Sequence, residues 1–294
     1  MSEDISMVKG CTSVGIVGLD YCGSTLVNNV LSGLENCIGA GETHWILDKD
    51  RNPRTTGRCT ECFSKDCPVF SDKILSRMRA NGESSDGEWW RIIGEGANKN
   101  IVISGDKRPH HYERFGVPDK LLFIIKDPRA HIVSWATRKF SSSRESIKNY
   151  TEGKSNFKLT DDEFLEALRI WTRETRKHIT WSLNSKKPLI AISLENFVDN
   201  KDGVLDTIAN WIGTETNSNA LKYWETDLHY IGSNHSVKRL DKDRYFFRQL
   251  KRDERWRDVL TDEQARLIVE NVQVIEQLKR LQPNLVGKLE IMIN

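Results

Sequence analysis

Nowhere in these 294 residues does an apolar run approach the roughly 18 positions that a membrane helix needs. The opening stretch MSEDISMVKG is acidic and polar and lacks an apolar h-region. The expectation is therefore a chain with no secretory signal and no membrane partner, placed in the cytoplasm. Charge of one sign is also missing, since 44 basic residues against 42 acidic ones leave a formal charge of +2. A dedicated nucleic-acid binder rests on a basic excess, so nucleic acid is excluded as the expected partner. Any anion site here has to be built locally. Six cysteines are too few for a disulfide scaffold in a chain of this length. Internal repeats, heptad runs and low-complexity segments are absent too. The reading is one domain over residues 1–294, with 1–10 as a flexible N-terminus. Nothing in the sequence speaks to oligomeric state.

What is present is a rhythm of short apolar runs separated by helical segments. Ser13 to Gly18, Asn100 to Ser104, Leu121 to Ile125 and Leu189 to Ser193 are apolar without alternation, as in strands buried on both faces of a parallel sheet. TDDE at Thr160 to Glu163 is a capping box that opens a helix running to about Leu183, with Phe164, Leu168 and Trp171 at helical spacing. A second box, TDEQ at Thr261 to Gln264, predicts one C-terminal helix with Leu267, Ile268, Val272, Ile275 and Leu278 as its apolar stripe. This alternation predicts a three-layer α/β fold, a central mainly parallel sheet flanked by helices. Long loops are expected at Lys49 to Asp72, Phe140 to Leu159 and Tyr230 to Arg244, where lids and site walls form.

Between the first strand and the next helix lies GLDYCGSTL, Gly18 to Leu26. Its spacing is that of the GxxxxGK[ST] phosphate loop, with Ser24 where the lysine belongs. Backbone amides at a helix N-terminus bind an anion without that lysine, and Ser24 and Thr25 add hydroxyl donors. The strand Leu121 to Ile125 ends at Lys126, at the sheet edge where ligands bind in α/β folds. Pro128 then suits the first turn of a helix on which Ser134 and Arg138 share one face. Lys126, Ser134 and Arg138 are candidates for a second anion site.

With these motifs the chain resembles the sulfotransferases that use 3'-phosphoadenosine 5'-phosphosulfate (PAPS). That family carries [RKH]-S-G-[ST]-T after the first strand, for the 5'-phosphosulfate, where this chain has YCGST at Tyr21 to Thr25. It carries R-[DN]-P with a serine eight residues past the arginine, for the 3'-phosphate, where this chain has KDPRAHIVS at Lys126 to Ser134. GETHW at Gly41, CTECFSKDCPVF at Cys59, GDKRP at Gly105, ISLENFVDN at Ile192 and LKRDERWRDVLTDEQ at Leu250 continue the likeness in family order. A sulfate donor has no γ-phosphate, so the missing lysine ceases to be a defect. The resemblance implies transfer of a sulfuryl group from PAPS to a hydroxyl or amine of a small-molecule acceptor, without a metal, releasing adenosine 3',5'-bisphosphate.

It further implies roles for particular residues. Tyr21, Cys22, Gly23, Ser24, Thr25 and Leu26 form the loop that holds the 5' end, and Lys126, Ser134 and Arg138 hold the 3'-phosphate. IGSNHSVKRLDKD, from Ile231, is similar to the family's late G-N-P-x-R segment, which makes Asn234, Lys238 and Arg239 candidates for closing over the nucleotide. Two departures stand out. Tyr21 replaces the loop cation and is neutral at pH 7, so Lys107 is the candidate for charge near the transferring group. Lys126 replaces arginine and loses the planar fork for bidentate phosphate contact. Glu42, 21 residues past Tyr21, has the spacing of the catalytic glutamate in tyrosylprotein-type relatives and is the favoured general base. His44 is the alternative, with His110, His111 and His235 behind it. A P-loop kinase or triphosphatase, and a nucleotide-binding relative that no longer catalyses, are the competing readings.

Cys59, Cys62 and Cys67 make a C-x2-C-x4-C cluster. Its first pair has metal-site spacing, but zinc needs a fourth ligand, for which His44 or Cys37 are the candidates. A packed thiol group or a disulfide is the favoured reading. Trp45, Trp135 and Trp181 are candidates for an acceptor wall, although core packing accounts for most of the nine tryptophans.

Overall fold

A computed structural model describes residues 10–48, 57–62, 67–82, 87–141, 149, 157–232 and 250–287. The N-terminus expected to be flexible falls almost wholly outside these residues. So do much of the three long loops and Asn234, His235, Lys238 and Arg239.

In chain order the elements are β1 (Thr12–Val17), α1 (Ser24–Ser32), β2 (Cys37–Gly41), a 3-10 turn (Thr43–Ile46), α2 (Asp72–Ala80), α3 (Glu88–Ala97), β3 (Ile101–Lys107) and α4 (Pro109–Phe115). Then come β4 (Lys120–Ile125), α5 (Pro128–Phe140), α6 (Asp161–Asn184), β5 (Leu189–Ser193), α7 (Leu194–Asp199) and α8 (Lys201–Ile212). A 3-10 segment (Ser218–Glu225), α9 (Trp256–Val259), α10 (Asp262–Glu270), α11 (Val272–Leu281) and β6 (Leu285–Val286) complete the described chain.

The six strands lie in the order β2-β3-β1-β4-β5-β6, and every pairing among them is parallel. Apolar runs buried on both faces sort their side chains by parity. In β4, Leu121, Phe123 and Ile125 enter the core shared with α3, α5 and α6. Leu122 and Ile124 enter the opposite core, against Val27, Val30 and Leu31 of α1 and Val204, Leu205 and Ile208 of α8. Helices on both faces make the expected three layers.

The two capping boxes form as expected. Thr160 accepts from the Glu163 amide and Thr261 from the Gln264 amide, each with the reciprocal bond. The single C-terminal helix does not form. The Asn271 side chain accepts from the Gln273 and Val274 amides at 3.0 and 3.1 Å and starts a new helix there. The break turns Leu267 and Val272 outward (42% and 66% exposed), while Val274 and Leu281 join Ile268 and Leu278 inside.

Strand order reverses direction around β1. The chain leaves β1 toward β2 on one side and, after returning through β3, passes to β4 on the other. The crevice outside the carboxyl ends of β1 and β4 is therefore the switch point where open α/β sheets bind ligands. Val17 and Phe123 are in register on these neighbouring strands, so Gly18 and Lys126 leave the sheet at one rim.

Candidate active site

The loop after β1 is shaped by backbone conformation before any side chain acts. Gly23 has φ +95°, and a Cβ there would stand 2.8 Å from Leu194 Cδ1. Tyr21 is also left-handed at φ 72°. The turn delivers Ser24 and Thr25 to the first turn of α1, where amides lack intrahelical partners. Ser24, Thr25, Asn28, Gly41, Glu42 and Tyr230 line one small recess of about 10 Å³, so loop and candidate base face the same space.

Lys107 ends β3 in the left-handed region, φ 63°. Its buried ammonium pairs with Glu42 Oε1 and lies 3.7 Å from Asp20 Oδ1. Trp45 Nε1 donates to Glu42 Oε2 at 3.0 Å. Burial favours the neutral acid of Glu42, but the Lys107 charge outweighs it and holds the carboxyl below its ordinary range. Burial opposes the Lys107 charge as well, and Glu42 and Asp20 together reverse that and drive its pKa upward. This pair is thus ionised as Lys⁺ and Glu⁻.

His44 faces a different partner. Its Nδ1 lies 2.7 Å from Asp106 Oδ1, its own amide donates to the same oxygen at 2.9 Å, and its ring stacks on His111 at 3.8 Å. Thr43 and Ser104 hydroxyls donate to Asp106 Oδ2 at 2.7 and 2.8 Å. Burial alone would raise the Asp106 pKa, yet the hydrogen bonds and charge of His44, with the charge of His111, bring it down to about 2. The group is a buried polar network that anchors the GETHW turn to β3.

Tyr21 carries no charge; burial pushes its hydroxyl pKa up. The Arg138 guanidinium instead rests 4.3 Å from the centroid of its ring. Arg138 is therefore at the loop, while its helix mate Ser134 is with Lys126, whose Nζ donates to Ser134 Oγ at 3.0 Å. A second tie joins the motifs. His131 Nε2 lies 2.7 Å from the Asp20 carbonyl, and Trp171 Nε1 donates to His131 Nδ1 at 3.2 Å. The structure thus gathers Tyr21, Ser24, Thr25, Glu42, Lys107 and Arg138 around the loop, with Lys126 and Ser134 beside them. Cys22 is wholly buried in the sheet–α1 core and Leu26 packs against that core.

Three features escaped the sequence. Asp253 reaches Lys126 Nζ at 2.5 Å, accepts from Ser134 Oγ at 3.4 Å and from Arg255 at 2.6 Å. Burial raises its pKa, but Lys126 and Arg255 prevail and lower it strongly. A carboxylate thus sits on the two groups assigned to the 3'-phosphate. Next to it, Trp256 lies under the guanidinium groups of Arg129 and Arg257, at 4.2 and 4.5 Å.

The second feature is a cavity of about 320 Å³ between the loop, α4, α5 and α6, lined by Asp20, Arg108, His110, Trp135, Trp171 and His178 among others. His178 is buried and its Nε2 has no hydrogen-bond partner. Of the three expected wall tryptophans only Trp135 lines it. Trp181 donates to Glu113 at 2.8 Å and Trp45 stands at Glu42.

The third is His229, which joins Cys59, Cys62 and Cys67. Neither His44 nor Cys37 is in that group, and all six cysteines are free thiols, not disulfide-bonded.

No protein-family model matches the chain, and no curated relative matches it by sequence. Solved structures do match in fold. The sulfotransferase domain of the olefin synthase from Synechococcus PCC 7002 is 13% identical, with 94% of this chain and 95% of that one covered and a TM-score of 0.52. The sulfotransferase domain from the curacin biosynthetic pathway is also 13% identical, with 92% and 98% covered and a TM-score of 0.57. Identity this low speaks for architecture and not for activity. With a parallel six-stranded sheet, a glycine-turned loop after β1 and near end-to-end coverage of both domains, the chain has the sulfotransferase fold.

Proposed function

We propose that the protein transfers a sulfuryl group from PAPS to a hydroxyl or amine of a small molecule and releases adenosine 3',5'-bisphosphate. The observation that carries this reading is the shared rim. The Ser24–Thr25 turn and the Lys126–Ser134 pair leave neighbouring strands at the switch point, with the Glu42–Lys107 ion pair beside them.

The donor supplies an activated sulfur–oxygen bond, and the residues present suit its ends. The helix N-terminus with Ser24 and Thr25 suits the 5' end. Lys126 and Ser134 suit the 3'-phosphate once Asp253 yields them. Lys107 offsets charge growing on the oxygen that leaves with the bisphosphate. Each contact Lys107 makes there weakens its hold on Glu42, whose basicity then rises. Glu42 orients the acceptor and takes its proton on a carboxylate oxygen as the new bond to sulfur forms. The 320 Å³ cavity, at the small end of the roughly 300–1,000 Å³ typical of small-molecule sites, suits the acceptor, and it meets the Glu42–Lys107 pair through its lining residue Asp20, 3.7 Å from Lys107 Nζ. Its wall mixes Trp135 and Trp171 with the open His178 nitrogen, a mixture matched to a ring bearing a polar group.

Asp253 also favours a second reading, a relative that binds nucleotide weakly and no longer transfers sulfate. Calorimetric titration with adenosine 3',5'-bisphosphate, without magnesium and against ATP, tests the donor site. Single-turnover transfer from labelled PAPS to a panel of phenols, alcohols and amines tests the chemistry. Bisphosphate binding with a sulfated product supports the enzyme. Binding without product supports the second reading, and ATP preference with magnesium returns the kinase.

A further inference from the structure

We propose that Cys59, Cys62, Cys67 and His229 bind a structural zinc ion. The three sulfurs and His229 Nδ1 all lie within 4.8 Å of one another. The Nδ1 atom is 3.2 Å from Cys62 Sγ, 3.5 Å from Cys67 Sγ and 3.9 Å from Cys59 Sγ. A tetrahedron with Zn–S of about 2.3 Å and Zn–N of about 2.0 Å has edges of roughly 3.5–3.8 Å. The three Nδ1–Sγ distances, 3.2 to 3.9 Å, bracket the roughly 3.5 Å S–N edge of that polyhedron.

Neutral thiols would have a single imidazole acceptor to share, leaving the other S–H groups to bond weakly to neighbouring sulfurs. One imidazole nitrogen accepts one S–H, yet three sulfurs crowd around it, two of them fully buried. One disulfide would use two sulfurs and strand the third. A cation shared by three thiolates and a neutral imidazole uses every lone pair that points inward. Three thiolates and one imidazole select zinc over magnesium or calcium, which prefer oxygen.

The outer contacts are those a metal site requires. His229 Nε2 lies 3.2 Å from Asp227 Oδ2, which keeps the proton on that nitrogen and turns Nδ1 inward as the ligand. The Phe70 amide donates to Cys67 Sγ at 3.2 Å, a bond that steadies a thiolate. Four protein ligands close the coordination sphere, which makes the ion structural and not catalytic.

The place of the cluster says what the ion does. It ties Cys59, Cys62 and Cys67 to the chain around His229, two residues before Ile231. Ile231 lies against the end of β2: its amide donates to the Ala40 carbonyl at 2.9 Å, and its carbonyl accepts from the Glu42 amide at 2.7 Å. The Thr60 amide donates to the Tyr230 carbonyl at 2.8 Å. Zinc would thus hold the backbone that presents Glu42, by way of a segment with no covalent neighbour in the loop.

The full chain, purified without a metal-affinity step, is expected to carry about one zinc per chain by elemental analysis, with all six thiols reduced by mass spectrometry. Replacing that ion with cobalt should give the thiolate charge-transfer and ligand-field absorption of a tetrahedral site. A strong chelator should lower the melting temperature, and added zinc, not magnesium, should restore it. His229→Cys should keep the metal and His229→Ala should lose it. A chain that purifies metal-free, melts alike with and without chelator and shows no tetrahedral cobalt spectrum overturns the proposal. So does a disulfide within the cluster. None of these readouts depends on donor binding or turnover.

Discussion

The ammonium of Lys107 is paired with the carboxylate of Glu42 inside the sheet rim, in a position where neither is exposed enough for water to replace the other. The pair sets two charges beside the Ser24–Thr25 turn. In the proposed reaction the first meets a developing anion and the second receives a proton.

Glu42→Gln keeps the size and the Trp45 contact but removes the base. Turnover should fall about 10²- to 10⁴-fold, the usual worth of a general base. Calorimetry should find the dissociation constant for adenosine 3',5'-bisphosphate within a few-fold of the parent protein. A variant with full turnover would move the base elsewhere.

Asp253 opposes a phosphate at Lys126 and Ser134. Asp253→Asn removes that repulsion, so bisphosphate affinity should rise by on the order of tenfold, about 1.4 kcal/mol. Without ligand the same variant should melt lower, because Lys126 is left buried without its counter-charge. Calorimetry and melting curves with and without nucleotide read both effects. Equal affinity in the two proteins would detach Asp253 from the nucleotide site.

Ser134→Ala deletes a hydroxyl held by Lys126 in the buried end of α5. A charge-assisted hydrogen bond contributes about 1.5–3 kcal/mol. Its loss should therefore weaken the bisphosphate by about tenfold or more while leaving ATP binding, if any, unaltered.

Two histidines set an acid limit on stability. Burial, then the charge of Lys126, lowers the His131 pKa to about 4. Burial also brings His111 to about 4, with His44 adding to it against the pull of Asp106. In the unfolded chain both titrate near the ordinary value of about 6.5. Between those values the unfolded state binds more protons, so stability is full above about pH 6.5 and falls as pH drops toward 4. Melting temperature across that window, in parent and His131→Gln, should show a shallower decline in the variant. His131 has a geometric reason as well: its Nδ1 already accepts from Trp171, so a second proton has no place there.

Several elements were legible because their signals are local. β1, β4 and β5 are continuous apolar runs, and the capping boxes are four-residue motifs. β2 carries no such signal: CIGAG has two glycines and little β-branched content, and it is a strand because β3 pairs with it. The C-terminal helix reads as one from sequence because Asn271 sits inside a plausible stripe and caps only through its own side-chain geometry. The candidate base and cations were found as motifs, yet the roles of Arg138 and Asp253 depend on contacts that no spacing encodes.

Local chemistry was enough to specify most strands and the capped helix starts, where the glycine turn after β1 lies, and which residue types surround it. Hydrogen bonds and apolar periodicity act over a few residues and can be read in order along the chain. Which distant side chains meet was settled by packing the parallel strands, since that step brings together residues with no regular separation. It set Asp253 against Lys126, Arg138 over Tyr21 and His229 among three cysteines more than 160 positions away.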